Sequence, residues 1–415
     1  MTGSEIQQRE TADAVPTRRL QASLALDTLL GSLGLYSVIP VLGLLLAARS
    51  DGSGTAVVGA GLFCYTASAG LSATLVNRWL PRLDYRRGMV GAVLLSAVGF
   101  GLLPYTSADW ALCGLLVLAG FGVSLHFLLS RVLVAEVLSD SIGRNRVFSL
   151  LQIAVNAAAT IGPFVANLLY SSSNPQVLMA MVALCYTAAG VVLLPGLPRG
   201  RSPLATSGNW PVSRQILLRT LRDPAMLRVV LTGTLGTFVY AQFYSAFALY
   251  VGREFSSAFL RSALIAGPAV LIVLLQPVMT AVSTRLLKGG TTPVDILGYA
   301  NIFFGVSMVT LGLALSPVVG AVLAVLVFSV AEMAFGPMIS TAFAGLPIES
   351  SLEAFNLRQV CWTTGEALGA LMGGSVFLTL YDRGDGRVYW EVLGIVTLLV
   401  TGLLRWSARR AAART

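Results

Sequence analysis

The chain has 415 residues, of which 55% are hydrophobic and only 11% charged. Soluble domains carry about 25% charged residues, so a soluble fold could not hide this apolar surface and a polytopic membrane protein is expected. The net charge of +9 does not imply nucleic acid, because the arginines sit in short loops at alternate ends of apolar runs, a topology signal.

Residues 1–18, with Glu5, Arg9, Glu10 and Asp13, read as a disordered cytoplasmic tail. No cleavable signal peptide is expected, because residues 1–19 are polar and the next run is too long for an h-region. That run, Leu20 to Ala48, holds one charge, Asp27. At about 1.5 Å per residue it can cross a bilayer core of about 30 Å. An Asp at a helix centre costs about 2.5–3.5 kcal/mol, so intramembrane acids usually face a cavity or a partner. Asp27 therefore reads as functional, sharing a face with Gly31 and Gly34, small residues that permit close helix approach. The alternative is that, about two turns from Arg18 and Arg19, it lies near the cytoplasmic interface.

Five further apolar runs follow at 56–80, 88–104, 110–136, 146–170 and 176–196. A break rich in Pro, Gly, Ser and Arg then spans Gly196 to Arg222. Within it, Ile216, Leu217 and Leu221 alternate with Arg214, Arg219 and Arg222, which predicts an amphipathic helix for the membrane surface. Six more runs lie near 226–251, 260–285, 293–315, 317–345, 354–381 and 388–406. Twelve spans put both termini on one side. One set of loops carries Arg78, Arg82, Arg86, Arg87, Arg144, Arg146, the linker, Arg285, Lys288, Arg409, Arg410 and Arg414. The opposite set has Arg49, Arg253, Arg261, Arg383 and Arg387, several beside an acid. The first set, the termini and the linker are therefore expected inside.

The expected fold is all-α and integral to the membrane, with twelve helices in two pseudo-symmetric six-helix bundles. The division is a tail (1–18), a first bundle (19–196), a linker (197–225), a second bundle (226–406) and a cytoplasmic tail (407–415). A repeat supports it. Phe148-x-x-x-Gln152 in the fifth run precedes Gly162 by the same offset that separates Phe355-x-x-x-Gln359 in the eleventh from Gly369.

Few ionisable residues lie inside the runs: Asp27, His126, Arg131, Glu332, Glu366 and, nearer the ends, Glu136 and Arg358. Proton coupling needs a group that is neutral in one state and charged in another, and burial of a carboxyl favours its neutral form. His126, the only histidine, could titrate near neutral pH or simply pack through a hydrogen bond. Arg131 could snorkel, pair with Asp27 or meet an anion. Glu366 lies on one face with Arg358 and Trp362, and is either a proton or cation site or a structural acid paired with that arginine. Tyr36, Tyr65, Asn156, Tyr240, Gln242, Tyr244, Gln276, Asn301 and Trp362 could shape a substrate site. Tyr240 and Tyr244 share a face suited to cationic or amphipathic molecules, with packing as the alternative.

The four cysteines are single and apolar in setting, so neither a disulfide nor a metal site is expected. There is no Gly-x-x-x-x-Gly-Lys loop, no metal-ligand cluster and no large soluble domain. Neither enzyme activity nor a cofactor is expected.

Three places carry a resemblance: Asp27-Thr-Leu-Leu-Gly-Ser-Leu-Gly34 followed by Ile39-Pro40; Arg146-x-Phe148-Ser-Leu with Asn156, Gly162 and Pro163; and Ala331-Glu332 with Gly336-Pro337. With the six-plus-six division and basic linker, the chain resembles the major facilitator superfamily, in particular its twelve-helix drug:proton antiporters of bacteria. The loop after the second run keeps that family's charge through Asn77-Arg78, Pro81-Arg82 and Asp84-Tyr85-Arg86-Arg87. The resemblance implies a proton-coupled exporter of small amphipathic molecules or metabolites in a bacterial inner membrane. Its partners would be substrate, protons and lipid, and it would act as a monomer. Family helices 1, 4, 7 and 10 line the cavity, which favours Asp27 and Glu332 for coupling, with Glu366 as a rival. Tyr36, His126, Arg131, Tyr240, Gln242, Tyr244 and Trp362 would meet substrate. Asn156, Gly162, Pro163, Arg78 and Asp84 would serve helix packing and gating. Rival expectations are a symporter or uniporter importing a small metabolite or anion, held by Arg131 and His126, and a sensing or lipid-handling protein on the same fold.

Overall fold

The computed structural model describes residues 17–49, 60–68, 80–171, 174–198, 200–203 and 212–412, all helix, turn or loop with no strand. Most of the expected N-terminal tail, much of the second run and Arg78 lie outside these residues.

The first run is two helices, α1 (Thr17–Val38) and α2 (Leu42–Arg49). A single span was expected. Pro40 explains the break: its ring would strike the carbonyl of Tyr36, and it disfavours helical geometry at Ile39. A helix over residues 60–68 (α3) represents the second run. Four long helices follow: α4 (Tyr85–Leu102), α5 (Asp109–Val137), α6 (Ser141–Leu169) and α7 (Gln176–Gly196). The linker helix is α8 (Arg214–Arg222). The seventh run is α9 (Pro224–Gln242), a π-turn over Phe243–Phe247, and α10 (Ala248–Glu254). Next come α11 (Ala258–Lys288), α12 (Pro293–Gly312) and α13 (Pro317–Ala344). The eleventh run is α14 (Ser351–Leu371), a π-turn over Met372–Val376, and α15 (Phe377–Asp382). The last is α16 (Gly386–Ala412), which continues into the stretch expected as a tail. Among the described residues nine helices are long and apolar enough to span a membrane.

Polar residues start several helices by satisfying amides that have no partner inside the helix. Asp84 accepts from Arg87 N at 2.6 Å to cap α4. Asp223 accepts from Ala225 N and Met226 N to cap α9, with Pro224 at its first position. Thr292 and Asp295 form a reciprocal capping box on α12.

The helices divide into two compact units. The first comprises Met1–Glu136, Ala154–Pro211 and Ser350–Leu352; the second comprises Val137–Ile153, Val212–Glu349 and Glu353–Thr415. The core of the first is mainly aliphatic, around Leu42, Leu45, Leu112, Leu116, Met179 and Val182. That of the second is rich in rings, including Phe243, Phe247, Phe304, Phe328, Phe335 and Trp390.

Small residues set the helix separations. A Cβ on Gly162 of α6 would stand 2.7 Å from the Tyr36 backbone of α1, and one on Gly369 of α14 would stand 2.5 Å from the Phe238 carbonyl of α9. Each glycine heads the same offset in the repeated pattern, so the two repeats use it for one task, seating the fifth helix of a repeat on the first. A second correspondence has no sequence motif. Ser96 of α4 reaches the Ala119 carbonyl of α5 at 3.4 Å, and Ser307 of α12 reaches the Ala324 carbonyl of α13 at 2.8 Å. Within the second unit, Phe148 and Phe355 themselves meet, with ring centroids 6.3 Å apart.

Candidate functional site: two buried carboxylates

Asp27, on α1, is fully buried. Its Oδ2 lies 2.6 Å from Nε2 of His126 on α5, itself 1% exposed. Oδ1 has no hydrogen-bond partner among the described residues. The face shared with Gly31 and Gly34 turns toward α7 and α5. Tyr186 of α7 packs beside both glycines, and the His126 ring lies near Gly31. Tyr186 stacks on Phe100, centroids 5.8 Å apart, and its hydroxyl is also buried without a hydrogen bond among the described residues. An imidazole can donate from Nε2 while the carboxylate accepts, so Oδ1 is left free to take up a proton. A short hydrogen bond between ionisable groups in an apolar bundle is strong, and leaving an oxygen beside it unsatisfied is costly, which marks the pair as more than packing.

Arg131 is not the partner of Asp27. Its guanidinium lies over the Phe127 ring at 5.6 Å, one helical turn along α5.

Glu332, on α13, is 3% exposed. The Tyr240 hydroxyl of α9 donates to its Oε1 at 3.5 Å, and Oε2 has no partner among the described residues. Tyr240 also stands 3.2 Å, hydroxyl to hydroxyl, from Tyr244. Its ring contacts Tyr244, Phe328 and Trp362 with centroids 5.2, 6.0 and 5.6 Å away. Trp362 donates its indole N–H to Glu366 Oε2 at 3.1 Å, and Arg358 lies over the same ring at 5.2 Å. The column Arg358–Trp362–Glu366 expected from spacing therefore exists, joined to Glu332 through Tyr240. Ring faces are electron-rich, so a cage of this make-up beside two carboxyls can hold an organic cation or the apolar part of an amphipath.

The remaining sequence candidates take varied positions. Gln242 is fully buried and spends both ends of its amide on the fold: it donates to the Gly369 carbonyl at 3.1 Å and accepts from the Tyr389 hydroxyl at 2.6 Å. Tyr36 is half-buried where α6 crosses at Gly162. Asn156 is buried on α6, and Pro163 lies inside that helix without ending it. Asp84 caps α4. Gln276 donates to the Met333 carbonyl at 3.0 Å and Asn301 to the Thr232 carbonyl at 2.9 Å, so both hold helices together.

Sequence reasoning missed Tyr186, Phe328 and Phe335, which lie in apolar runs with no local mark of a role. It also missed both π-turns, which face each other: a Cβ on Gly373 would stand 2.8 Å from Ala246 N. Such turns often occur at functional sites. Gly373 was the one available signal, four residues beyond Gly369 in a stripe that begins at Gly365.

The sequence model of the Major Facilitator Superfamily matches residues 24–370. No curated protein sequence matches the chain. Among solved structures, the human organic anion transporter MFSD10 (TETRAN) is similar at a TM-score of 0.72 and 19% identity, covering 94% of this chain and 99% of that one. A POT family transporter crystallised with a thioalcohol-conjugated peptide gives 0.65 and 15%, covering 94% and 96%. A bacterial homologue of the iron transporter ferroportin, in an outward-facing state, gives 0.64 and 15%, covering 94% and 99%. At these identities the structures speak for the fold alone, while the family match spans most of the chain. The protein belongs to the Major Facilitator Superfamily, with the twelve-helix, multi-pass membrane fold of its transporters.

Proposed function

We propose that this protein is a proton-coupled secondary transporter that exports small amphipathic organic molecules, cations among them, by alternating access. The observation that carries the reading is the Asp27–His126 pair, a carboxylate and the chain's only imidazole 2.6 Å apart and buried between α1 and α5. Such a pair can take a proton at Asp27 Oδ1 while Oδ2 keeps its bond to His126 Nε2. The carboxylate is then neutral and no longer holds a charge in the apolar interior. Glu332 is the second exchangeable acid. Beside the Tyr240–Trp362 rings, a cation and a proton would compete for it, which is what exchange of one for the other requires. Glu366, bonded to the Trp362 indole, would extend the same site toward bulkier cargo.

The setting proposed with it is a bacterial inner membrane, with bundles over 19–196 and 226–406, both termini and the linker cytoplasmic, and a monomer as the working unit. Import of an anion by Arg131 and His126 is the weaker reading, because His126 is already engaged by Asp27 and Arg131 by a ring. The test is proteoliposomes loaded with a lipophilic cation such as ethidium under an imposed proton gradient. Asp27→Asn and Glu332→Gln are each expected to lose gradient-driven movement. Full, pH-dependent transport in both variants would overturn the proposal.

A further inference from the structure

The linker helix α8 takes no part in the site just described, and among the described helices it is markedly amphipathic. Ser213 caps it by accepting from Ile216 N, and Asp223 is the one residue between it and α9. That aspartate ends α8 through its backbone N–H, which donates to the Arg219 carbonyl at 2.8 Å, and starts α9 through its carboxylate. Because α9 opens a segment long and apolar enough to span a membrane, this corner sets α8 at the end of that segment.

At 100° per residue the helix has three faces. Ile216 and Thr220 share one and are buried against the protein. Leu217, Leu218 and Leu221 fall on the next and remain 45%, 42% and 68% exposed. Arg222, Gln215 and Arg219 fall on the third, and Arg214 projects from the first turn between the leucines. Arg214, Gln215, Leu218, Arg219, Arg222 and Asp223 line an open groove of about 630 Å³. The guanidinium groups of Arg214, Arg219 and Arg222 make no hydrogen bond or ion pair among the described residues. Asp223, the only acid in the groove, already accepts from two backbone amides.

We propose that α8 is a binding site for acidic phospholipid. The leucine face enters the acyl boundary of the leaflet beside the start of α9, and the three arginines take phosphate headgroups in the groove. The bilayer is the occupant that fits. An aqueous partner would leave the leucines wet, and a neutral lipid surface would leave three cations uncompensated beside an interface where each basic residue favours anionic lipid.

The test is hydrogen–deuterium exchange of the full chain in nanodiscs of phosphatidylcholine alone or with phosphatidylglycerol. The α8 amides are expected to become protected as phosphatidylglycerol is added, and the gain should vanish in 1 M salt, where the screening length falls to about 3 Å. Each Arg→Gln substitution among R214Q, R219Q and R222Q should weaken the phosphatidylglycerol effect about fivefold, and all three together about a hundredfold. The triple Arg→Lys variant should retain it. Exchange in α12 serves as the control that the variants remain folded. Equal protection in both lipids, or an undiminished effect in the triple Gln variant, would overturn the proposal. So would inorganic phosphate reproducing the protection in detergent, since the site would then be one for a free anion.

Discussion

Asp27 and Glu332 are both carboxylates buried in apolar helices, and each has one oxygen without a hydrogen bond among the described residues, yet their surroundings differ in kind. Asp27 has an ionisable partner at 2.6 Å, with the Tyr186 ring beside its face and a mainly aliphatic core beyond. Glu332 has only a neutral hydroxyl at 3.5 Å, but that hydroxyl belongs to a cluster of rings. A carboxylate facing an imidazole is arranged to handle protons, because both groups can change charge. A carboxylate facing rings is arranged to handle something larger, because rings offer area and a weak attraction for cations but no proton. Under the proposed function, Asp27 would serve proton transfer alone, whereas Glu332 would exchange a proton for the cargo cation beside its rings.

The largest expected effect breaks the coupling side. Exchanging one proton for one monovalent cation moves no net charge, so the pH gradient is the driving force. One pH unit, about 1.4 kcal/mol, supports an accumulation ratio of about ten, and Asp27→Asn should reduce that ratio to about one. His126→Gln should follow it, measured as steady-state substrate gradients in proteoliposomes.

The next effect tests whether the two repeats rest on equivalent contacts. Gly162→Val and Gly369→Val each place side-chain atoms against a neighbouring backbone, at Tyr36 and Phe238 respectively. Each should cost about 1–3 kcal/mol of stability and lower the thermal transition of the purified protein. Gly402→Ala, where a Cβ meets nothing within 4 Å, should leave it unchanged or raise it.

A smaller effect probes the recognition side. Tyr240→Phe removes the hydroxyl between Glu332 and Tyr244 but keeps the ring. It should weaken binding of a lipophilic cation by about 1 kcal/mol, roughly fivefold, with accumulation at saturating substrate preserved. Thermal-shift titration with tetraphenylphosphonium reads this directly. A loss as large as that of Asp27→Asn would erase the distinction between the two acids. Smallest of all, Ser96→Ala and Ser307→Ala should each cost about 0.6 kcal/mol, the average for an interhelical hydrogen bond in a membrane protein. Unequal losses would mean that the two serines are alike in geometry but not in weight.

Much of this was legible in the sequence where the cause is local. The Arg358–Trp362–Glu366 column follows from a spacing of four on a helix. The matched offsets of Gly162 and Gly369 were visible as a pattern, although Tyr36 and Phe238, the reasons for it, were not. The break at Pro40 is likewise a local effect, and hydropathy alone had masked it. Nothing local announces the π-turn over Phe243–Phe247, which contains neither Gly nor Pro. Gln242 looked like a polar residue available to substrate, and only its neighbours Tyr389 and Gly369 reveal that its amide is consumed.

The sequence by itself determined the apolar runs, the basic linker, the family and the presence of acids where lipid-spanning helices should carry none, because hydropathy and charge act residue by residue. Which group each acid faces was decided by tertiary structure alone. His126 reaches Asp27 across 99 positions of chain, and Tyr240 reaches Glu332 across 92. Such pairings depend on helix rotation and separation, which the close packing at Gly34 and Gly236 sets and no single run encodes.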